Sequence, residues 1–430
     1  MMKHPMDPVR RRLLQALGVS TSAALIPGVA LAAKKPSQGK VVIIGGGFGG
    51  ATAAKYLRKW SNNGIDVTLI ERTPNYVSCP MSNEVLGGNR EYSTLVQSYD
   101  ALKKKWGVNV VTAEVVDVDT TARIVKTNQG KSYNYDRLVV APGLDLMFDE
   151  IKGYDSEAQK TVLHAWKAGP QTLALRKQLE EMKNGGTYII SVPKSPYRCP
   201  PGPYERACQV AYYFKTHKPA SKVLILDANE TVQSKPKLFM AAWKDYYPDI
   251  VEYRPNWGVG EIDAQNKVVT SELGDTVKGD VLNILPPMRG GEIARKMGLL
   301  NINKVWAGID WTSMESTAIP NVHVIGDAVF AAPLMPKSGH MANQHGKAVA
   351  AALVEIFAGR TPEPILMANT CYSMLDNKHG VHVASVHRYN PELKAPTVVT
   401  GSGGTSMEAN LIEGRYTQGW ALSIWADTFA

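Results

Sequence analysis

The sequence predicts an α/β protein of two Rossmann-like dinucleotide-binding domains, the second inserted into the first, with a C-terminal segment after them. Three observations predict it. The apolar residues 41–44 lead into Gly45-x-Gly47-x-x-Gly50 and an Ala-rich helical stretch. A second strand-like run, "DVTLIER", ends at Glu71. Further on, "GTYIIS" and "KVLILDAN" flank a helical stretch and read as the strands of another nucleotide-binding unit. At 430 residues the chain is long enough for two or three domains.

In chain order, residues 1–33 read as an export signal. Arg10, Arg11 and Arg12 precede an apolar run that ends in an Ala-Leu-Ala site at Ala30 to Ala32, with small residues at its two outer positions. Adjacent arginines followed by Leu13 and Leu14 fit the twin-arginine type, which implies a periplasmic destination. Gly18, Pro27 and Gly28 interrupt the run, which argues against a membrane span. The composition of the full chain, 44% hydrophobic and 20% charged, is that of a globular protein. The net charge of +9 is scattered along the chain without aromatic-interleaved basic patches, so nucleic acid is not an expected partner.

In the first fingerprint the glycines provide a tight turn, close approach to a pyrophosphate and close helix packing. The helix N-terminus offers unpaired N–H groups to the phosphates, and Glu71 stands where a carboxylate accepts from a ribose hydroxyl. Two later segments belong with it. "YDRLVVAPG" closes on Gly143, and "VHVIGDAV" contains Gly326 and Asp327. In this order they resemble the two-dinucleotide-binding-domain flavoproteins of the disulfide reductase class. That resemblance implies FAD in the first domain, with Asp327 on its ribityl chain. A helix is expected to start near Ser338 and Gly339. Its N-terminus, with Lys337, would place positive charge beside the flavin N1–O2 edge. No residues show metal-ligand spacing.

The second unit lacks its glycine loop. After "TYIIS" the chain reads "VPKSPYRCPPGPYERAC", in which prolines remove N–H donors and Arg198 prevents close backbone approach. Pyridine nucleotide binding is therefore expected to be lost, and Cys199 takes the place of the loop. Glu205, shortly after it, is a candidate proton acceptor or an ordinary acid in a helix's first turn. Both Cys208 and Cys371 are available as partners for Cys199.

The segments "CPPGPYERA", "VSCPMSN" and "NTCYSML" make the chain resemble the flavoprotein subunit of flavocytochrome c sulfide dehydrogenase, over essentially its whole length. The resemblance implies a redox disulfide between Cys199 and Cys371, FAD linked covalently through its 8α position to Cys79, and a separate c-type cytochrome subunit carrying haem c. A CxxCH motif is absent, in agreement. It implies hydrosulfide as substrate. Sulfide:quinone reductase, a flavin electron-transfer module and an NADH-dependent reductase are the alternatives. The expected domains are residues 34–151 with 292–358 for FAD, 152–291 for the NAD-like unit and 359–430 for a C-terminal interface. There Trp420 and Trp425 are either interface anchors or core.

Overall fold

Strand Gly39–Ile44 is buried from Val41 onward because it lies inside a parallel sheet covered on both faces. It pairs with Ile65–Glu71 on one side and Arg137–Val140 on the other. Asn109–Thr112 and Val322–Val324 complete five strands. Our computed structural model describes residues 37–430, which pack as one unit, so the expected export signal lies outside the described residues.

Helices Phe48–Trp60 and Gly339–Phe357 pack together. Their backbones meet at glycines: a Cβ on Gly346 would lie 2.5 Å from the Gly49 carbonyl oxygen. An antiparallel ribbon of Leu144–Leu146 and Met288–Gly290 carries the chain out of this layer and back.

Between those crossings lies a second parallel sheet, ordered Val251–Arg254, Lys222–Asp227, Thr187–Val192, Val281–Asn283. Helix Gly202–His217 follows Thr187–Val192. Pro203 in the first turn lacks an N–H that would have no partner there. The run 322–329 divides into Val322–Val324 and a 3-10 turn, Gly326–Ala328, because Gly326 adopts φ +75°.

The C-terminal residues form an antiparallel sheet of Met367–Met374, Gly380–Asn390 and Ala395–Val398, then helix Leu411–Phe429. That helix buries Ala421, Ile424, Trp425 and Phe429 in the first layer's core. Trp425 is therefore core, its indole N–H donating to Ser78 Oγ at 2.9 Å. Among the described residues no helix is long and apolar enough to cross a membrane.

Candidate active site

The site is a cavity of about 520 Å³ where the two parallel layers and the C-terminal sheet meet. Its first wall is the glycine loop. Gly45 has φ +97°, and a Cβ there would lie 2.2 Å from the Ala141 oxygen. A Cβ on Gly50 would lie 1.8 Å from the Gly45 oxygen, so Gly50 closes the loop from behind and does not line the cavity. Gly47, Glu71, Gly143, Gly326 and Asp327 all line it. No side chain caps helix Phe48–Trp60, which leaves its first-turn N–H groups available to phosphate. Glu71 accepts from Gly46 N–H at 2.8 Å and from Thr73, which fixes its carboxylate at the strand end.

The helix N-terminus forms the next wall. Ser338 caps Gly339–Phe357 by accepting from Met341 N–H at 3.0 Å, as expected, and Gly339 and His340 line the cavity. Lys337 departs from the prediction. Its ammonium turns away, donating to the carbonyls of Asp327 (2.9 Å) and Val329 (2.5 Å) and lying 3.7 Å above the Trp306 ring. Burial lowers its pKa to about 8, against the charge of Asp327. Lys337 thus braces the Asp327 turn from behind, and the helix end alone faces the cavity. His345 is buried and accepts from Gly326 N–H at 3.2 Å.

The loop that replaces the second fingerprint points into the same cavity. Cys199 sits in the left-handed region at φ +59°, uncommon for a side-chain-bearing residue. It is pinned there by its N–H to Lys337 O (2.7 Å) and by Gly202 N–H to its own carbonyl (2.8 Å). A Cβ on Gly202 would lie 2.9 Å from Cys199 Sγ and 2.7 Å from the Trp166 ring, so only glycine leaves the sulfur room. Arg198 lines the cavity with a guanidinium nitrogen 3.9 Å from Asp327 Oδ2, and also donates to Trp166 O.

Cys371 reaches the cavity from strand Met367–Met374. The expected bond to Cys199 is not formed in this structure, where all four cysteines are free thiols. Cys371 Sγ is instead held by Asn369 Nδ2 at 3.3 Å. Burial pushes both thiols up; for Cys371, Asn369 and Lys235 offset part of the rise. Cys208, the rival partner, is buried in the second core and does not line the cavity. Cys79 lines it, its sulfur accepting from Ala168 N–H at 3.4 Å.

Glu205 lies in the first turn of Gly202–His217, yet it is no ordinary solvated acid. It lines the cavity, accepts from Met374 N–H (2.9 Å) and Asn83 Nδ2 (2.8 Å), and is raised by burial to about 7. Arg206, 2% exposed, sets this up by donating to Asn83 Oδ1 at 2.9 Å, which turns the amide nitrogen toward Glu205. Trp166, Tyr372 and Trp420 complete the lining. Sequence reasoning missed Lys235, which lies in no recognisable motif, and gave no role to Arg206 of "CPPGPYERA" or to His340.

A flavin dinucleotide fits these residues. The glycine loop, the helix N-terminus and Glu71 suit its adenosine diphosphate half. Trp166 and Trp420, whose indole N–H groups are buried without a partner, are among the residues that line the space. Among the described residues no cluster of side chains suits a metal ion.

Fold and site together define a two-dinucleotide-binding-domain oxidoreductase in which a cysteine loop replaces the second glycine fingerprint. The pyridine nucleotide-disulphide oxidoreductase family model matches residues 39–186. Two models of the flavocytochrome c sulfide dehydrogenase flavoprotein also match: that of its central part over residues 172–286 and that of its flavin-binding part over residues 362–429. Mitochondrial sulfide:quinone oxidoreductases are similar, at 28% identity for Dictyostelium discoideum and 24% for Mus musculus. Each match covers 67% of this chain and 65% of the relative. The crystal structure of the sulfide:quinone oxidoreductase from Aquifex aeolicus superposes with a TM-score of 0.73 at 18% identity, covering 90% of this chain and 92% of that one.

Proposed function

We propose that the chain is a sulfide-oxidising flavoprotein, exported to the periplasm by the twin-arginine route, that delivers electrons to a c-type cytochrome subunit. One observation carries the reading. Cys199 and Cys371 line the same cavity as the dinucleotide loop, with Glu205 beside them. The family models and the sulfide:quinone relatives support sulfide as the donor.

Gly45, Gly47, Gly143, Glu71, Gly326 and Asp327 would hold FAD, with Cys79 as the covalent attachment. When bound, FAD supplies a two-electron acceptor that returns electrons singly to a haem. The protein's own residues prepare the sulfur. In the oxidised pair hydrosulfide attacks one sulfur; the bond between Cys199 and Cys371 breaks, a persulfide forms and the other sulfur leaves as a thiolate. Over a turnover HS⁻ gives zero-valent sulfur, a proton and two electrons. Glu205 accepts the proton, since its raised pKa makes it a base matched to neutral pH. The N-terminus of Gly339–Phe357 places positive potential at the cavity wall where negative charge arrives.

A quinone acceptor is the second reading, favoured by the relatives' names and by the outward residues Ile412, Tyr416 and Leu422 of the last helix, exposed at 58–66%. Anaerobic titration of the purified holoprotein with sulfide, and separately with NADH, tests the donor. Bleaching of the flavin by sulfide alone, lost in Cys199→Ser, is the expected outcome, and bleaching by NADH alone would overturn it. Reoxidation by a c-type cytochrome against a short-chain quinone decides the acceptor.

A further inference from the structure

The two thiols have a cationic neighbour that does not line the cavity. Lys235 is 4% exposed and precedes helix Pro236–Tyr246 at φ +56°. Its ammonium donates to Cys371 O at 2.9 Å and Ser373 Oγ at 2.8 Å, with the Phe239 ring 5.6 Å away. A buried ammonium is costly unless paired, and Lys235 is absent from the ion pairs of the described residues. It has three N–H donors and two acceptors are placed, which leaves one donor for a group that gains charge later. The charged or titratable groups around it are Cys371, Glu205, Cys199 and Glu413. Around Cys371 stand Asn369 on its own strand, Lys235, Ser338 at the flavin-facing helix and Glu205.

We propose that Lys235 is a positioning residue that supplies the counter-charge for the thiolate left on Cys371 when hydrosulfide opens its bond to Cys199. This rests on the sulfide-oxidising reading. In the step HS⁻ adds to Cys199 Sγ, the S–S bond breaks and Cys371 Sγ departs with the electron pair. The persulfide proton passes to Glu205. Asn369 Nδ2, already 3.3 Å from Cys371 Sγ, donates to the same thiolate. A better-stabilised thiolate is the better leaving group, so these two residues also decide which sulfur is attacked.

The test follows alkylation of Cys371 by iodoacetamide against pH in the reduced holoprotein, with the site resolved by peptide mass spectrometry. Wild type, Lys235→Met, Lys235→Gln and Lys235→Arg are compared at matched flavin content. Both neutral variants should raise the apparent pKa of Cys371 by about one unit, which slows alkylation near neutral pH roughly 10-fold. Lys235→Arg should track wild type. Gln keeps a hydrogen-bonding side chain, so it serves where Met does not fold. Neutral variants whose profile overlays that of wild type would overturn the proposal. Sulfide titration of the wild-type flavin is read separately: failure there removes the sulfide reading, and the alkylation profile still decides whether Lys235 holds a thiolate.

Discussion

At the scale of single residues, Glu205 carries the clearest pH signature. Its carboxyl is raised by burial to about 7, so the base form grows as pH rises through that value. Sulfide-dependent flavin reduction should therefore show a rising limb near pH 7 that Glu205→Gln abolishes, with the rate falling about 10²-fold or more. Stability moves the opposite way. A raised folded pKa favours folding below the carboxyl's ordinary value, and that contribution is lost as pH rises through about 7. Glu205→Gln should accordingly gain melting temperature relative to wild type at pH 8 and not at pH 5, as thermal denaturation will show. Gly202 makes a steric prediction. Alanine there must push against Cys199 Sγ and the Trp166 ring at under 3 Å. Gly202→Ala should retain flavin yet slow bleaching by sulfide by about 10-fold or more in stopped-flow absorbance, because displaced reacting atoms lose effective concentration steeply.

At the scale of elements, the sequence was informative where a residue type has one physical use. Gly45 and Gly50 are required by backbone contacts too close for a Cβ, and the position of Ser338 announced the helix it caps. Cys199 was legible because prolines and an arginine cannot cradle pyrophosphate. Side-chain direction was not legible. Lys337 precedes the cap as expected, but carbonyls and an indole face within reach turned its charge away from the cavity. Lys235 gave no signal at all. It becomes chemically relevant only because the C-terminal sheet, more than a hundred residues later, lays Cys371 across it. The pairing of two distant cysteines likewise depends on how that sheet docks, which no local pattern encodes.

At the scale of the whole molecule, the last helix joins the parts that hold the dinucleotide. Asp427 accepts from Tyr56 (2.5 Å) on Phe48–Trp60 and from Asn343 (2.9 Å) on Gly339–Phe357, and pairs with Lys347 at 2.8 Å. Lys55 caps the same helix end through the carbonyls of Ala426 and Asp427 at 3.0 and 2.9 Å. One carboxylate thus ties both helices whose N-termini face the cavity, while Trp420 of the same helix lines its wall. Burial alone would raise the Asp427 carboxyl, but the bonds from Lys347, Tyr56 and Asn343 outweigh it and hold the carboxyl below its ordinary value. A depressed folded pKa contributes stability that is present above the unfolded value and lost as pH falls through the folded one. Asp427→Asn should therefore destabilise the holoprotein by about 1–3 kcal/mol at neutral pH. Its thermal midpoint should converge with that of wild type in acid. If the tie also holds the cavity together, protein not covalently attached to flavin should release it at a lower temperature in the variant, read by flavin fluorescence. An unchanged midpoint at neutral pH would mean that the buried apolar face of Ala421, Ile424, Trp425 and Phe429 docks the helix without its carboxylate.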